Sequence, residues 1–191
     1  MKILIPATLI ASLIASASYG ADDKVAADVQ RDVNQQQRIE QGLQSGQLTT
    51  HEAGRLERQE SRIDRTEKRD LRDGTLSAGE QRRLTAKQDR VSRHIAVQKH
   101  DAQVGNPDSA SSRRMQADVQ RNVNQQQRIE QGAQSGELSN HEVGNLERGQ
   151  ARVDRREARA AANGRVGTAE QAGIQRAENR QSRQVFRKKH N

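Results

Sequence analysis

The chain predicts an all-α fold of two tandem antiparallel three-helix units, helical-hairpin repeats with coiled-coil-like packing. Three observations lead there. Residues 26–101 recur as 116–191 at an offset of 90, with no gap and 38 of 76 positions identical, and 27–58 matches 117–148 at 25 of 32. A period of that kind marks an array built from one unit. The same glycine–aliphatic–hydroxyl–acid punctuation then occurs four times, as SGQLTTHE (45–52), DGTLSAGE (73–80), SGELSNHE (135–142) and NGRVGTAE (163–170). Between these junctions no strand-like alternation competes with the helical pattern.

The N-terminus comes first. Lys2 supplies a positive start, Ile3 to Ala17 is mostly apolar, and Ser18-Tyr19-Gly20 offers small residues for cleavage after Gly20. This predicts a signal peptide over 1–20 and a periplasmic or secreted mature protein. A membrane anchor would need a longer apolar run than the one that Asp22-Asp23-Lys24 ends. Without cysteine the chain has no disulfide, no thiolate chemistry, no Cys-ligated zinc and no lipidated N-terminal cysteine. Loss of the leader takes away one lysine and no acid, so the net charge of +8 becomes +7.

Each junction reads as a helix stop followed by a helix start. Gly46, Gly74, Gly136 and Gly164 suit the left-handed residue that closes a helix. Thr49, Ser77 and Ser139 suit the N-cap, with Glu52, Glu80 and Glu142 three residues on to complete a capping box. Gly167 replaces the hydroxyl in the fourth junction, which predicts a weaker cap. Leu48, Leu76, Leu138 and Val166 sit where a hydrophobic staple would place them. The predicted helices are 24–45, 49–73, 77–100, 114–135, 139–163 and 167–189. Short junctions make neighbours antiparallel, so unit one spans 21–101, a linker holding Pro107 spans 102–115, and unit two spans 116–191.

The apolar seams are thin. Helix one offers Val25, Val29, Val33, Ile39 and Leu43; helix two Ala53, Leu56, Ile63 and Leu71; helix three Leu84, Val91 and Ile95. Leu, Ile, Val and Phe make up about 15% of the mature chain, below the ~20% at which disorder becomes a concern. The expectation is marginal stability, or help from docking between copies or from a homodimer. The second copy reads as weaker still, because Ala133, Ala161 and Gln181 replace Leu43, Leu71 and Val91.

Helix two carries a cationic stripe opposite Leu56 and Ile63. It comprises Arg55, Arg58, Arg62, Arg65 and Arg69, answered in the second copy by Arg148, Arg152, Arg155 and Arg159. Glu57, Glu60, Asp64 and Glu67 lie on one flank, where a solvated face with pairs such as Asp64–Lys68 is expected. Arginine suits anionic groups through paired hydrogen bonds. The expected partners are anionic or unfolded protein segments or anionic envelope lipid. Nucleic acid is disfavoured, since Phe186 is the only aromatic left after the leader.

A second constellation is His51, Glu52, His100 and Asp101, matched by His141, Glu142 and His190. The start of helix two and the end of helix three should share one end of a unit, which would let these residues hold Zn, Ni or Cu. No cofactor is otherwise expected. The junctions also echo half of an EF-hand loop, but Arg69 and Leu71 stand where its first two acidic ligands belong, so capping explains them better.

Leu-Thr-Thr-His-Glu and its copies resemble the LTxxQ motif of small periplasmic envelope-stress chaperones and their metal-responsive relatives. That resemblance implies an exported, cysteine-poor helical protein that holds unfolded clients on a basic surface or binds zinc or nickel through histidines. Glu replaces the motif's Gln, and the 90-residue duplication lies outside its pattern. The long Gln/Arg/Glu-rich helices are also similar to hypothetical exported proteins of Gram-negative bacteria, which implies no activity. No nucleophile elbow or phosphate-cradling loop is present, and helices this polar are expected to bury no carboxylate pair. The chain therefore reads as a non-enzymatic binding protein working through its surface, with a histidine metal binder or a ligand-free spacer as alternatives.

Overall fold

The four junctions decide where the helices stop. In a computed structural model, which describes residues 15–191 with side chains from Asp23 onward, Gly46, Gly74, Gly136 and Gly164 all have φ between 74° and 85°. The left-handed conformation is cheap only for glycine. The expected leader lies outside the described residues as far as residue 14. Six helices follow: α1 (Ala15–Ser45), α2 (Thr50–Asp70), α3 (Ala78–Lys99), α4 (Ala110–Gln134), α5 (Asn140–Ala160) and α6 (Thr168–Lys189). Three-residue 3-10 turns, Leu71–Asp73 and Ala161–Asn163, tighten the ends of α2 and α5.

The caps form as the residues predict. Thr49, Ser77 and Ser139 each accept from the amide of the acid three residues on, and Glu52, Glu80 and Glu142 reach back to the cap amide. At the fourth junction Gly167 has no hydroxyl, and only the Glu170 half of the exchange remains, at 2.8 Å. α4 starts earlier than the expected 114. Ser109 caps it by accepting from the Ser112 amide, and Ser111 donates no cap to its own helix but accepts from the Val166 amide at the start of α6. The connector is not free either. The Gly105 amide donates to the Gly46 carbonyl at 2.8 Å, so the chain between the copies is fastened to the first junction.

The largest helix–helix contacts join the two copies, α2 against α5 and α1 against α4. Both pairs are antiparallel. Gly54 near the start of α2 meets Ala158 and Ala161 at the end of α5, while Gly144 near the start of α5 meets Lys68 and Leu71 at the end of α2. A Cβ added at Gly54 would stand 2.5 Å from the Ala161 Cβ, and one at Gly144 2.9 Å from the Leu71 Cβ. Glycine is needed at both places because the helices touch almost backbone to backbone. α3 lies against α1 and α2, and α6 against α4 and α5. The arrangement is a four-helix centre with one outer helix on each side, related by the repeat.

Neither copy has a core of its own. One apolar cluster joins Ile39, Leu43, Leu56, Ile63 and Leu84 to Met115, Val119, Val153, Val166 and Ile174. The other joins Val25, Val29 and Leu71 to Ile129, Leu138, Val143, Leu146 and Val185. Docking between copies thus provides the burial that the thin seams lack. The substitutions that made copy two look weak fit this packing. Ala161 leaves room beside Gly54, and the Gln181 amide lies over Gly149 and donates to the Leu146 carbonyl at 2.9 Å. Among the described residues, no helix is long and apolar enough to cross a membrane.

Candidate functional site

Two helices this close must bury the flanks beside their contact line, and on α2 and α5 those flanks are acidic. The expectation that no carboxylate pair would be buried is therefore corrected. Fifteen Asp and Glu side chains are buried, and among the described residues no Lys or Arg is. Glu57, Glu60, Asp64 and Glu67 are each at most 2% exposed, so the expected solvated face lies inside the bundle. Asp64 does not pair with Lys68, whose Nζ donates instead to Asn145 Oδ1 at 2.8 Å.

The acids gather in two sets related by the repeat. Asp32 of α1, Asp64 and Glu67 of α2 and Glu147 of α5 each present an oxygen, all within 4.8 Å of one another. Glu57 of α2 with Asp154 and Glu157 of α5 does the same. Asp64, Glu67 and Glu147 correspond by the 90-residue offset to Asp154, Glu157 and Glu57. Each set therefore takes two acids from one helix of the central pair and one from the other. Asp32 corresponds to Asn122, whose Nδ2 donates to both oxygens of Glu157, at 3.0 and 2.8 Å. Gln126 Nε2 donates to Glu147 and Gln36 Nε2 to Glu57, each at 3.0 Å, again as a repeat-related pair. Gln88 of α3 donates to Asp32 at 2.9 Å.

The donors run out before the acceptors do. Among the described residues no N–H, Ser or Thr hydroxyl or cation reaches either oxygen of Glu60 or Glu67, and one oxygen each of Asp32, Glu57, Asp64 and Glu147 is also unmatched. The neutral amides around the acids share this shortage. The Oε1 atoms of Gln36, Gln88 and Gln126 and the Oδ1 of Asn122 have no donor, and Gln150, 1% exposed and the counterpart of Glu60, has no partner at either end. An unmatched buried polar atom costs about 1–3 kcal/mol, so the centre is an oxygen-rich cluster of side chains that lacks positive charge.

Burial dominates the protonation of these groups. It raises the Asp32 and Glu57 carboxyls to about 7 and Glu147 to about 8. Glu60, Asp64, Glu67, Asp154 and Glu157 are held well above the ordinary carboxylate range, by burial first and by neighbouring carboxylates second. The pairs Asp32–Glu67, Asp64–Asp154 and Glu57–Glu157 are near enough to share a proton. Asp64 and Asp154 link the two sets.

The residues singled out by sequence lie elsewhere. Arg55, Arg58, Arg62, Arg65, Arg69, Arg148, Arg152 and Arg159 are exposed and Arg155 is half-buried, all on the outer faces of α2 and α5. Arg65 and Arg155 donate to carbonyls of their own helices, and Arg69 pairs with Asp70 at 2.7 Å. His51, His100, His141 and His190 are exposed. His100 and His190 turn Nδ1 to the Ala96 and Phe186 carbonyls of their own helices. Glu52 and Glu142 are engaged as caps, and Asp101 accepts from Gln98 and Gln103. Lys188 reaches Glu142 at 3.3 Å, so the start of α5 and the end of α6 do share one end of the bundle. Even so, no histidine belongs to a group of three or more ligand side chains sharing one space among the described residues.

Sequence reasoning missed the carboxylate centre although a signal was present. Gly54 and Gly144 sit inside helices at equivalent repeat positions, and a helical glycine with no cap role points to a close packing partner. Such a partner buries whatever flanks it. No protein-family model, curated protein or solved structure matches the chain.

Proposed function

We propose that the protein is an exported, non-catalytic binding module that holds hard divalent cations of the calcium class in the centre of its bundle. Each copy acts in this reading as an antiparallel three-helix half of one cation cage. The observation that carries it is the repeated set of buried carboxylates, seven in two groups, several of whose oxygens have no donor, with no buried cation among the described residues to balance them. Buried charge must be neutralised by protons or by a counter-ion. Oxygen-only donors favour Ca²⁺, Mg²⁺ or Mn²⁺ over the softer ions that histidine would attract. Calcium suits the cluster best, because it takes six to eight oxygens in flexible geometry while Mg²⁺ demands a near-ideal octahedron. Bundle cores hold metal sites in this way, with ligands converging from facing helices.

A thermal melt of the chelator-treated protein, with and without calcium at pH 7.5, tests the reading. A cation at 100 times its dissociation constant adds about 2.7 kcal/mol of stability. The paired variant Asp64→Asn/Asp154→Asn separates charge from packing. It should raise the metal-free melting temperature, since ionising a carboxyl whose pKa stands one unit high costs about 1.4 kcal/mol. It should also abolish the calcium response. A wild-type melt indifferent to calcium, magnesium and manganese would rule the reading out.

Capture of anionic partners by the arginine faces is a second reading. It is supported by a groove of about 380 Å³ between α5 and α6, which five arginines line and no acid does.

A further inference from the structure

The two copies share a sequence pattern but line the space between their second and third helices differently, and the differences concern what would fill it or neutralise it. In copy one the space between α2 and α3 is bridged twice. His94 and Gln59 hydrogen-bond at 2.5 Å, and Lys87 Nζ donates to Thr66 Oγ1 at 2.6 Å. The four bridging residues correspond to Gln184, Gly149, Ala177 and Arg156 in copy two. Both bridges are thereby lost, and the cation among the four moves from α3, where Lys87 becomes Ala177, to α5, where Thr66 becomes Arg156. In addition, the Asp70 that holds Arg69 in copy one corresponds to Ala160. Arg159 has therefore lost that ion pair, and the carboxylate it borders is Glu170, which lines an adjoining groove with Arg156 and Arg159 and accepts from the Gly167 amide.

The result is a row of guanidinium groups in a groove that no acid lines. Arg152, Arg155, Arg156 and Arg159 come from α5 and Arg180 from α6 across the groove. None of the five makes an ion pair among the described residues. Three- and four-residue steps set neighbouring side chains about 5–6 Å apart, and the row from 152 to 159 runs about 10 Å along the helix. Val153 and Ala177 supply a small apolar floor, and no aromatic ring lines the space on which a base could stack.

We propose that the α5–α6 groove binds a soluble, linear oligophosphate, a bare chain of several closely spaced phosphoryl groups. Guanidinium pairs phosphate oxygens through two parallel hydrogen bonds, and a row of five favours a ligand with repeated charge over a single anion. This deepens the anionic-partner reading and does not depend on the carboxylate centre, which lies on the opposite flank of α5.

The test is calorimetric titration of inorganic triphosphate into the full mature chain at low ionic strength, with inorganic monophosphate and phosphatidylglycerol vesicles as comparison arms. The variant Arg152→Glu/Arg156→Glu reverses two of the five charges at exposed positions. Its control is Arg62→Glu/Arg65→Glu, the same charge change on copy one, with helicity by circular dichroism checked for both. Triphosphate should bind at one site, at least about tenfold tighter than monophosphate, and should be lost in the copy-two variant alone. Equal weakening in both variants would reduce the effect to net charge and overturn the proposal. So would equal affinity for mono- and triphosphate, or binding to vesicles without binding of triphosphate.

Discussion

Thr49, Ser77 and Ser139 each accept an amide hydrogen bond at a helix start, with the backbone turned to the extended region. One missing oxygen atom at Gly167 removes half of the same exchange. Replacing Thr49 with Ala should cost about 1 kcal/mol, the usual worth of such a cap. Gly167→Ser should recover part of that amount at the fourth junction. Denaturant unfolding of the two variants checks both values, and a neutral Thr49→Ala would mean the Glu52 carboxylate alone closes the helix. At this scale too the acids differ by position rather than by type. Glu80, at the surface and held by Ser77, has its pKa lowered, while Glu67, buried among other acids, has it raised far above the ordinary range.

Among the elements, α2 and α5 set the spacing of everything else. Their approach depends on Gly54 and Gly144, so a side chain at either place must push the helices apart. Gly54→Leu should destabilise the fold by roughly 1–3 kcal/mol, the range for overpacking a tight contact. Gly79→Ala, where nothing lies within 4 Å, is the matched control and should be neutral or slightly stabilising. If both changes give the same melting temperature, the interface does not carry the load assigned to it. Separation of α2 from α5 would also part Asp64 from Asp154, so the Gly54 variant should bind calcium more weakly than its helicity suggests.

For the whole molecule, the buried acids make stability depend on pH in an unusual direction. Their folded pKa values are raised, so the folded chain holds protons that the unfolded chain has released. The stabilisation is therefore fully present below the ordinary carboxylate pKa of about 4 and is lost as pH rises through about 7 to 8. The groups facing this centre act in the same sense. Asp118 of α4 is raised to about 7 and Glu178 of α6 to about 8 by burial, although Arg121 pulls both downward. Arg31 of α1 lowers Asp32, and Arg38 lowers Glu60, without reversing the shift. The metal-free protein should melt at progressively lower temperature between pH 5 and 8.5, and saturating calcium should flatten that slope by taking the protons' place. A metal-free melt constant over that interval would contradict the burial of these carboxylates.

Glycine stops, hydroxyl caps and most helix limits were legible in the chain, because each depends on residues within four or five positions of one another; the duplication was legible as a match of the chain with itself, whereas the start of α4 at Ala110, capped by Ser109, was not. The cationic faces were legible for the same reason: Arg55, Arg58, Arg62 and Arg69 stay in water whichever neighbour the helix has. The destination of Glu57, Glu60, Asp64 and Glu67 was not. Those positions read as the solvated flank of a three-helix unit, but α1 of the same copy meets Glu57 and Glu67, and α5 closes over them where it meets α2 through Gly54 and Gly144. Local propensity is set by a residue's own backbone and its nearest turns, whereas burial is set by which distant face arrives opposite. A polar flank looks the same in sequence whether it meets solvent or the matching flank of a second copy, so only the tertiary packing could turn these acids into a centre short of positive charge.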